Sequence, residues 1–203
     1  MVCPILMGVL GFAFMAGAEW ANHNEVRFLK PILWFGMPPI FTFAVIMAWV
    51  DNEYFSFPSI LSVIAWFPFI LFSGLFIYSA YVEIPLKKTY IDPSQPTKVV
   101  TNGTYSLCRH PAALWFIGWI ASAIFISRSV TLVIAAPVWI SAYIGCIFLE
   151  EKLCCLGVLS YNYKRYRETT PMLIPTYTSI ERFWRDTRSR FNRNDNMRKR
   201  QLP

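Results

Sequence analysis

The chain has 203 residues, of which 55% are hydrophobic, 17% aromatic and only 15% charged, against roughly 25% charged in a typical soluble domain. With a mean hydropathy of +0.39 and a net charge of +7, the composition excludes a disordered chain and an ordinary soluble globule; it describes a membrane protein whose few charges are sorted to particular places. Five cysteines with no paired spacing beyond Cys154-Cys155 suggest neither a disulfide framework nor a metal site, and all read as reduced thiols.

A membrane-spanning helix needs about 20 mostly apolar residues to cross a hydrocarbon core roughly 30 Å thick. Residues 1–18, 31–50, 54–82, 110–127 and 129–149 carry no Asp, Glu, Lys or Arg, which predicts an all-α, polytopic protein of about five transmembrane helices near 2–18, 31–50, 57–82, 112–127 and 129–149. The third stretch is long enough to tilt or to hold a turn near Phe57-Pro58. Pro38-Pro39 and Pro68 predict kinks in the second and third spans. Only Arg128 and its neighbours separate the last two, so these form a tight hairpin, and Gly118 and Ser122 have the spacing that lets helices approach closely.

Basic residues concentrate on the cytosolic flanks of membrane helices. If the five stretches alternate across the bilayer, 18 of the 19 Lys and Arg residues fall on one side and Arg128 alone on the other. The N-terminus is therefore expected outside or in the lumen and the C-terminus in the cytosol. A signal peptide ending at Ala16-Gly17-Ala18 is disfavoured, because no positive residue precedes the apolar run. On this topology the sequon Asn102-Gly103-Thr104 is cytosolic and stays unmodified.

The cytosolic ends hold the candidate chemistry. Arg109-His110-Pro111 opens the fourth span, and proline suits the first turn of a helix because its missing N–H has no partner there. Arg109 and His110 then sit at a partially positive helix start suited to a carboxylate or phosphate; a snorkelling arginine that anchors the helix is the alternative. Glu150-Glu151 ends the fifth span on the same side, either as a receptor for a cationic group or as the solvated end of a helix. Leu149, Leu153, Leu156, Tyr163 and Tyr166 keep a helical spacing that predicts continuation beyond the membrane up to Pro171. The aromatic and basic run 161–167 reads as an interfacial girdle.

In order, Gly103-Thr104-Tyr105, Arg109-His110-Pro111, Glu150-Glu151, Tyr163-x-x-Tyr166 and Pro171-Met-Leu-Ile-Pro175 resemble the integral-membrane methyltransferases that include protein-S-isoprenylcysteine O-methyltransferase and the phospholipid N-methyltransferases. The resemblance covers about residues 99–175. It implies S-adenosylmethionine at the cytosolic ends of the last two spans, with Tyr105, His110, Pro111, Glu150 and Glu151 around the cofactor, Arg109 near the reacting group, and Arg109 and Glu151 as catalytic residues. The lipophilic substrate would enter from the bilayer, and the membrane would be the endoplasmic reticulum in a eukaryote or the inner membrane in a bacterium. Three departures stand out: Ala113 where the family has Tyr, Leu159-Ser160 where it has Phe-Gly, and one extra residue between the Glu pair and Tyr163.

Two parts follow: a membrane methyltransferase-like domain over 1–175 and a basic amphipathic helix and tail over 176–203. Thr178-x-x-Glu181 suggests a capping box. Arg182, Arg185 and Arg188 around Ile180, Phe183, Trp184 and Phe191 suggest attraction to anionic lipid, and nucleic acid is not the expected partner. The expected activity is methyl transfer to a lipophilic acceptor. The guanidinium at a helix start favours the carboxylate of an isoprenylated cysteine; a phospholipid amine, an NADPH-dependent sterol or enone reductase, and a non-catalytic scaffold of the same fold are the alternatives.

Overall fold

The computed structural model describes residues 1–24, 26, 28–50, 54–56, 58–84, 99–156 and 160–201, with side chains placed for most of these. Arg27, Lys87, Lys88 and Lys98 of the charge pattern, with Phe57 and Leu159, lie outside the described residues. The described chain is helical: α1 (Val2–His23), α2 (Leu29–Trp49), α3 (Ser59–Ile64), α4 (Trp66–Ile77), a wide turn Tyr78–Val82, a short 3₁₀ turn Gly103–Ser106, α5 (Pro111–Ser127), α6 (Val130–Leu156), α7 (Ser160–Thr169) and α8 (Tyr177–Gln201). Four stretches, Val2–His23, Leu29–Trp49, Ser59–Val82 and Val130–Leu153, are long and apolar enough to cross a membrane. The fourth expected span is the shorter apolar helix α5, of 17 residues. The chain is thus an all-α polytopic membrane protein.

The buried face of α1 follows directly from its sequence. Pro4, Gly8, Gly11, Met15, Ala18 and Ala21 recur every three or four residues and are buried, while Leu6 and Leu10 point outward. Gly8 is required by packing: a Cβ there would overlap the indole of Trp139, whose Nε1 donates to the Ile5 carbonyl at 3.1 Å. Around that contact an aromatic core joins four helices. Phe12 lies 5.2 Å from Phe41, 5.4 Å from Tyr143 and 5.9 Å from Phe116 of α5, and Phe41 lies 5.1 Å from Trp139 between ring centroids. Ile60, Val63, Phe67 and Ile70 of the third span are exposed, as expected of side chains that face lipid rather than protein.

Helix α2 continues through Pro38-Pro39. In the third span the interruption falls at Ala65, between α3 and α4, three residues before Pro68, whose ring cannot donate to the Ile64 carbonyl. Gly118 admits the Phe72 ring of α4 where a Cβ would collide with it, so the small-residue spacing does bring two helices close. The α5–α6 turn is pinned: Arg128 adopts φ +57°, its N–H caps Ile124, and its Nε donates to Ser62 at 3.0 Å.

The chain is helical over Val130–Leu156 and again over Ser160–Thr169; the expected continuation between them falls on residues 157–159, outside the described residues. One local expectation needs correction. The box that caps α8 is formed by Thr176 and Ser179, with Thr176 N–H donating to Ser179 Oγ at 2.9 Å and Ser179 N–H to Thr176 Oγ1 at 3.4 Å. Glu181 instead pairs with Arg185 one turn on, at 3.3 Å, because Thr178 already lies inside the helix.

Candidate active site

Pro111 is the first residue of α5, and His110 precedes it in a non-helical conformation. The backbone N–H groups of Arg109 and His110 donate to the carbonyls of Pro171 and Met172 at 2.9 and 3.1 Å. The chain after α7 therefore clamps the start of α5, and two motifs 60 residues apart in sequence become neighbours.

The α5–α6 hairpin returns Glu150 and Glu151 to this point. Glu151 is buried and ion-paired with Arg109: Nη2 donates to Oε2 at 3.4 Å, while Nε lies 3.0 Å from Oε1 without hydrogen-bond alignment. Arg109 Nη1 donates to the Arg167 carbonyl at 3.2 Å. His110 Nε2 lies 3.1 Å from the same Glu151 Oε1, while its Nδ1 is 3.8 Å from Glu150 Oε2. The two carboxylates are not equivalent: the Glu151 side chain is 7% exposed and Glu150 is 36% exposed. One arginine thus faces two carboxylates, of which Glu150 is the more accessible.

Tyrosines form the next layer. Tyr163 and Tyr166 of α7 are buried edge to face, 6.1 Å apart, and Tyr163 is a further hydrogen-bond partner of Glu151. Tyr166 donates to the Tyr105 carbonyl at 2.6 Å, and burial pushes its phenol above the ordinary value. Tyr105 turns its own hydroxyl to the Ser79 carbonyl at 3.2 Å. The structure thus brings Arg109, His110, Pro111 and Glu151 together with Glu150 at the edge, and sets Tyr105 one layer behind them. Ala113 is buried. Cys108, fully buried beside Arg109, has its thiol pushed up to about 12 by desolvation.

Sequence reasoning missed the groups that hold this arrangement. The wide turn Tyr78–Val82 aims Ser79 at Thr104 and Trp115, at 3.0 and 2.9 Å. Glu83 accepts the Thr104 N–H and pairs with the Thr104 hydroxyl. Asp186, from α8, accepts the Gly103 N–H at 2.9 Å, and Gly103 sits at φ +67°, where only glycine is unstrained. A second polar group lies close by: Glu19 interacts electrostatically with Glu150 and Lys30, and buried Lys30 donates to Asn22 at 2.9 Å. The only cue in the sequence was that Glu19 follows an otherwise uncharged run. Among the described residues no group of His, Cys, Asp and Glu could hold a metal ion.

Taken together, four stretches of membrane-crossing length and a buried charge cluster between the start of α5 and the end of α6 describe a membrane protein with a polar site at its helix ends. Residues 61–155 match the family model of phospholipid methyltransferases, which falls within the group of integral-membrane methyltransferases resembled by the motifs. The match runs from the third span through the α5–α6 hairpin and includes Arg109, His110 and both glutamates; it suggests a membrane methyltransferase, a class that generally uses S-adenosylmethionine. No curated protein and no solved structure matches the chain.

Proposed function

We propose that the protein transfers a methyl group from S-adenosylmethionine to a lipophilic acceptor at the cytosolic membrane boundary. The observation that carries the reading is the Arg109–Glu151–His110 cluster inside the segment that matches the methyltransferase family. The donor set fits the cofactor's charges. Glu150, exposed and flanked by His110, suits an ammonium or sulfonium, and the start of α5 suits a carboxylate. When bound, that cofactor supplies a methyl carbon made electrophilic by a sulfonium. Arg109 and Glu151 fix the helix ends that frame the site, and the buried tyrosines keep water from it, so alignment and exclusion of water are the main contributions to rate.

Arg109 also bears on the acceptor. Its guanidinium is already committed to Glu151 and the Arg167 carbonyl, which removes the reason to favour an anionic acceptor. With that reason gone, a phospholipid amine comes ahead of the carboxylate of an isoprenylated cysteine, in keeping with the family model that the segment matches. In the test, purified protein in lipid nanodiscs receives radiolabelled S-adenosylmethionine with phosphatidylethanolamine or with an S-prenylated cysteine derivative. A base-stable methylated headgroup supports the amine, and a base-labile methyl ester reverses the choice. Cofactor binding displaced by NADPH but not by S-adenosylhomocysteine rejects methyl transfer altogether.

A further inference from the structure

Helix α8 has two faces of different character. One is docked: Asp186 accepts the Gly103 N–H, Arg182 Nη1 donates to the Thr169 carbonyl and to Thr170 Oγ1 at 3.1 and 3.2 Å, and Ser179 is fully buried. The opposite face carries Tyr177, Ile180, Trp184 and Arg188, spaced so that they share one side of a helix. Tyr177 is 83% and Trp184 65% exposed, and Ile174, just before the helix, is 80% exposed. Large apolar side chains left outside on a helix whose other face is occupied mark a surface that is covered in use.

We propose that this outward face of α8 beds into the cytosolic leaflet of the same bilayer, with anionic phospholipid headgroups meeting its arginines. Charge and chemistry choose the occupant. Residues 177–203 carry eight Lys and Arg against three Asp and Glu, which opposes self-association of two such helices and draws the segment to an anionic surface. A nucleic acid would satisfy the arginines but leave Tyr177, Ile180 and Trp184 in water. A leaflet takes both, apolar side chains among the acyl chains and guanidinium groups at the phosphates. Through Asp186 and Arg182 the seated helix also holds the Gly103–Ser106 turn and the end of α7, the two elements joined by the Tyr166–Tyr105 hydrogen bond. The inference does not depend on which reaction the site performs.

The test uses the full chain in nanodiscs of phosphatidylcholine with about 30 mol% phosphatidylserine. The photoreactive residue p-benzoylphenylalanine replaces exposed Trp184 and, in a second variant, exposed Ser189, which lies off the apolar face. After irradiation, intact mass should show lipid adducts at position 184 several-fold above those at 189, with phosphatidylserine over-represented relative to its share of the disc. Combining the probe with Arg185→Gln and Arg188→Gln should return the adduct ratio to the bulk lipid ratio. Equal lipid adduction at 184 and 189, a protein–protein adduct at twice the mass, or an unchanged lipid ratio in the arginine variants overturns the proposal. None of these readouts requires methyl transfer, so its failure is distinguishable from failure of the enzymatic reading.

Discussion

Neutralising each partner of the Arg109–Glu151 pair, singly and together, tests whether the cluster is assembled before any ligand arrives. Both side chains are less than one-tenth exposed, and removing one partner of such a pair costs about 3–5 kcal/mol because the other is left charged and desolvated. The two losses should differ. Glu151→Leu strands a guanidinium that cannot shed its proton, with only the Arg167 carbonyl left among its described acceptors, so about 4 kcal/mol is expected. Arg109→Met leaves a carboxylate that keeps His110 and can take up a proton, so the loss should be nearer 2–3 kcal/mol. The double variant leaves neither charge and should be no worse than Glu151→Leu alone, a coupling of about 2–3 kcal/mol. Reversible unfolding in mixed micelles under an SDS gradient, followed by tryptophan fluorescence, reads all four states. Additive losses, or single losses below about 1 kcal/mol, would show that the pair is solvated and the proposed framing of the site is wrong.

Three further outcomes follow from the geometry. Glu150→Gln should weaken S-adenosylmethionine binding by about tenfold or more, the loss of one charged hydrogen bond at about 1.5–3 kcal/mol, with little change in folding, as read by calorimetry; an unchanged affinity removes Glu150 from the cofactor site. Because burial raises the Cys108 thiol from 9.0 to about 12, the folded state keeps a proton there that the unfolded state loses, so stability present below pH 9 should fall by about 1.4 kcal/mol per pH unit toward pH 12; Cys108→Ala should flatten that slope, and identical slopes refute the assignment. Gly103→Ala should cost about 2 kcal/mol in a thermal melt, since it combines a left-handed conformation with overlap on the Glu83 carboxylate, whereas Gly145→Ala, with nothing within 4 Å of its Cβ, should be nearly neutral; equal effects would deny the turn its role.

The meeting of Arg109-His110-Pro111 with Glu150-Glu151 was legible in the sequence because a single tight hairpin leaves two apolar helices no alternative but to bring those ends together. The faces of α1 were not read from the sequence, although its small residues at helical spacing line the buried side. What could not be read were pairings over long sequence separations with no periodic signature: Asp186 reaches back 83 residues to cap the Gly103 turn, and Glu83 reaches 21 residues forward to Thr104. The α8 cap was misplaced for a local reason. Ser179 can return a hydrogen bond to Thr176 as readily as a glutamate could, so a search for Thr-x-x-Glu selects the wrong register.

The extra residue between the glutamate pair and Tyr163 does not keep the tyrosines from the site. Tyr163 reaches Glu151 and Tyr166 reaches the Tyr105 carbonyl despite the added residue. The offset also does not demand that the two carboxylates exchange roles. Glu151, buried between a guanidinium and an imidazole, has its oxygens engaged before any ligand binds, and a ligand that drew it away would expose Arg109 to the desolvation cost described above. Glu150, half out of the protein and near His110 and Glu19, is the carboxylate with free capacity for a cation. On the proposed function, Glu151 would position and Glu150 would receive the cofactor's cationic group. Their substitutions should therefore separate, Glu151 acting mainly on the unfolding curve and Glu150 mainly on the binding isotherm.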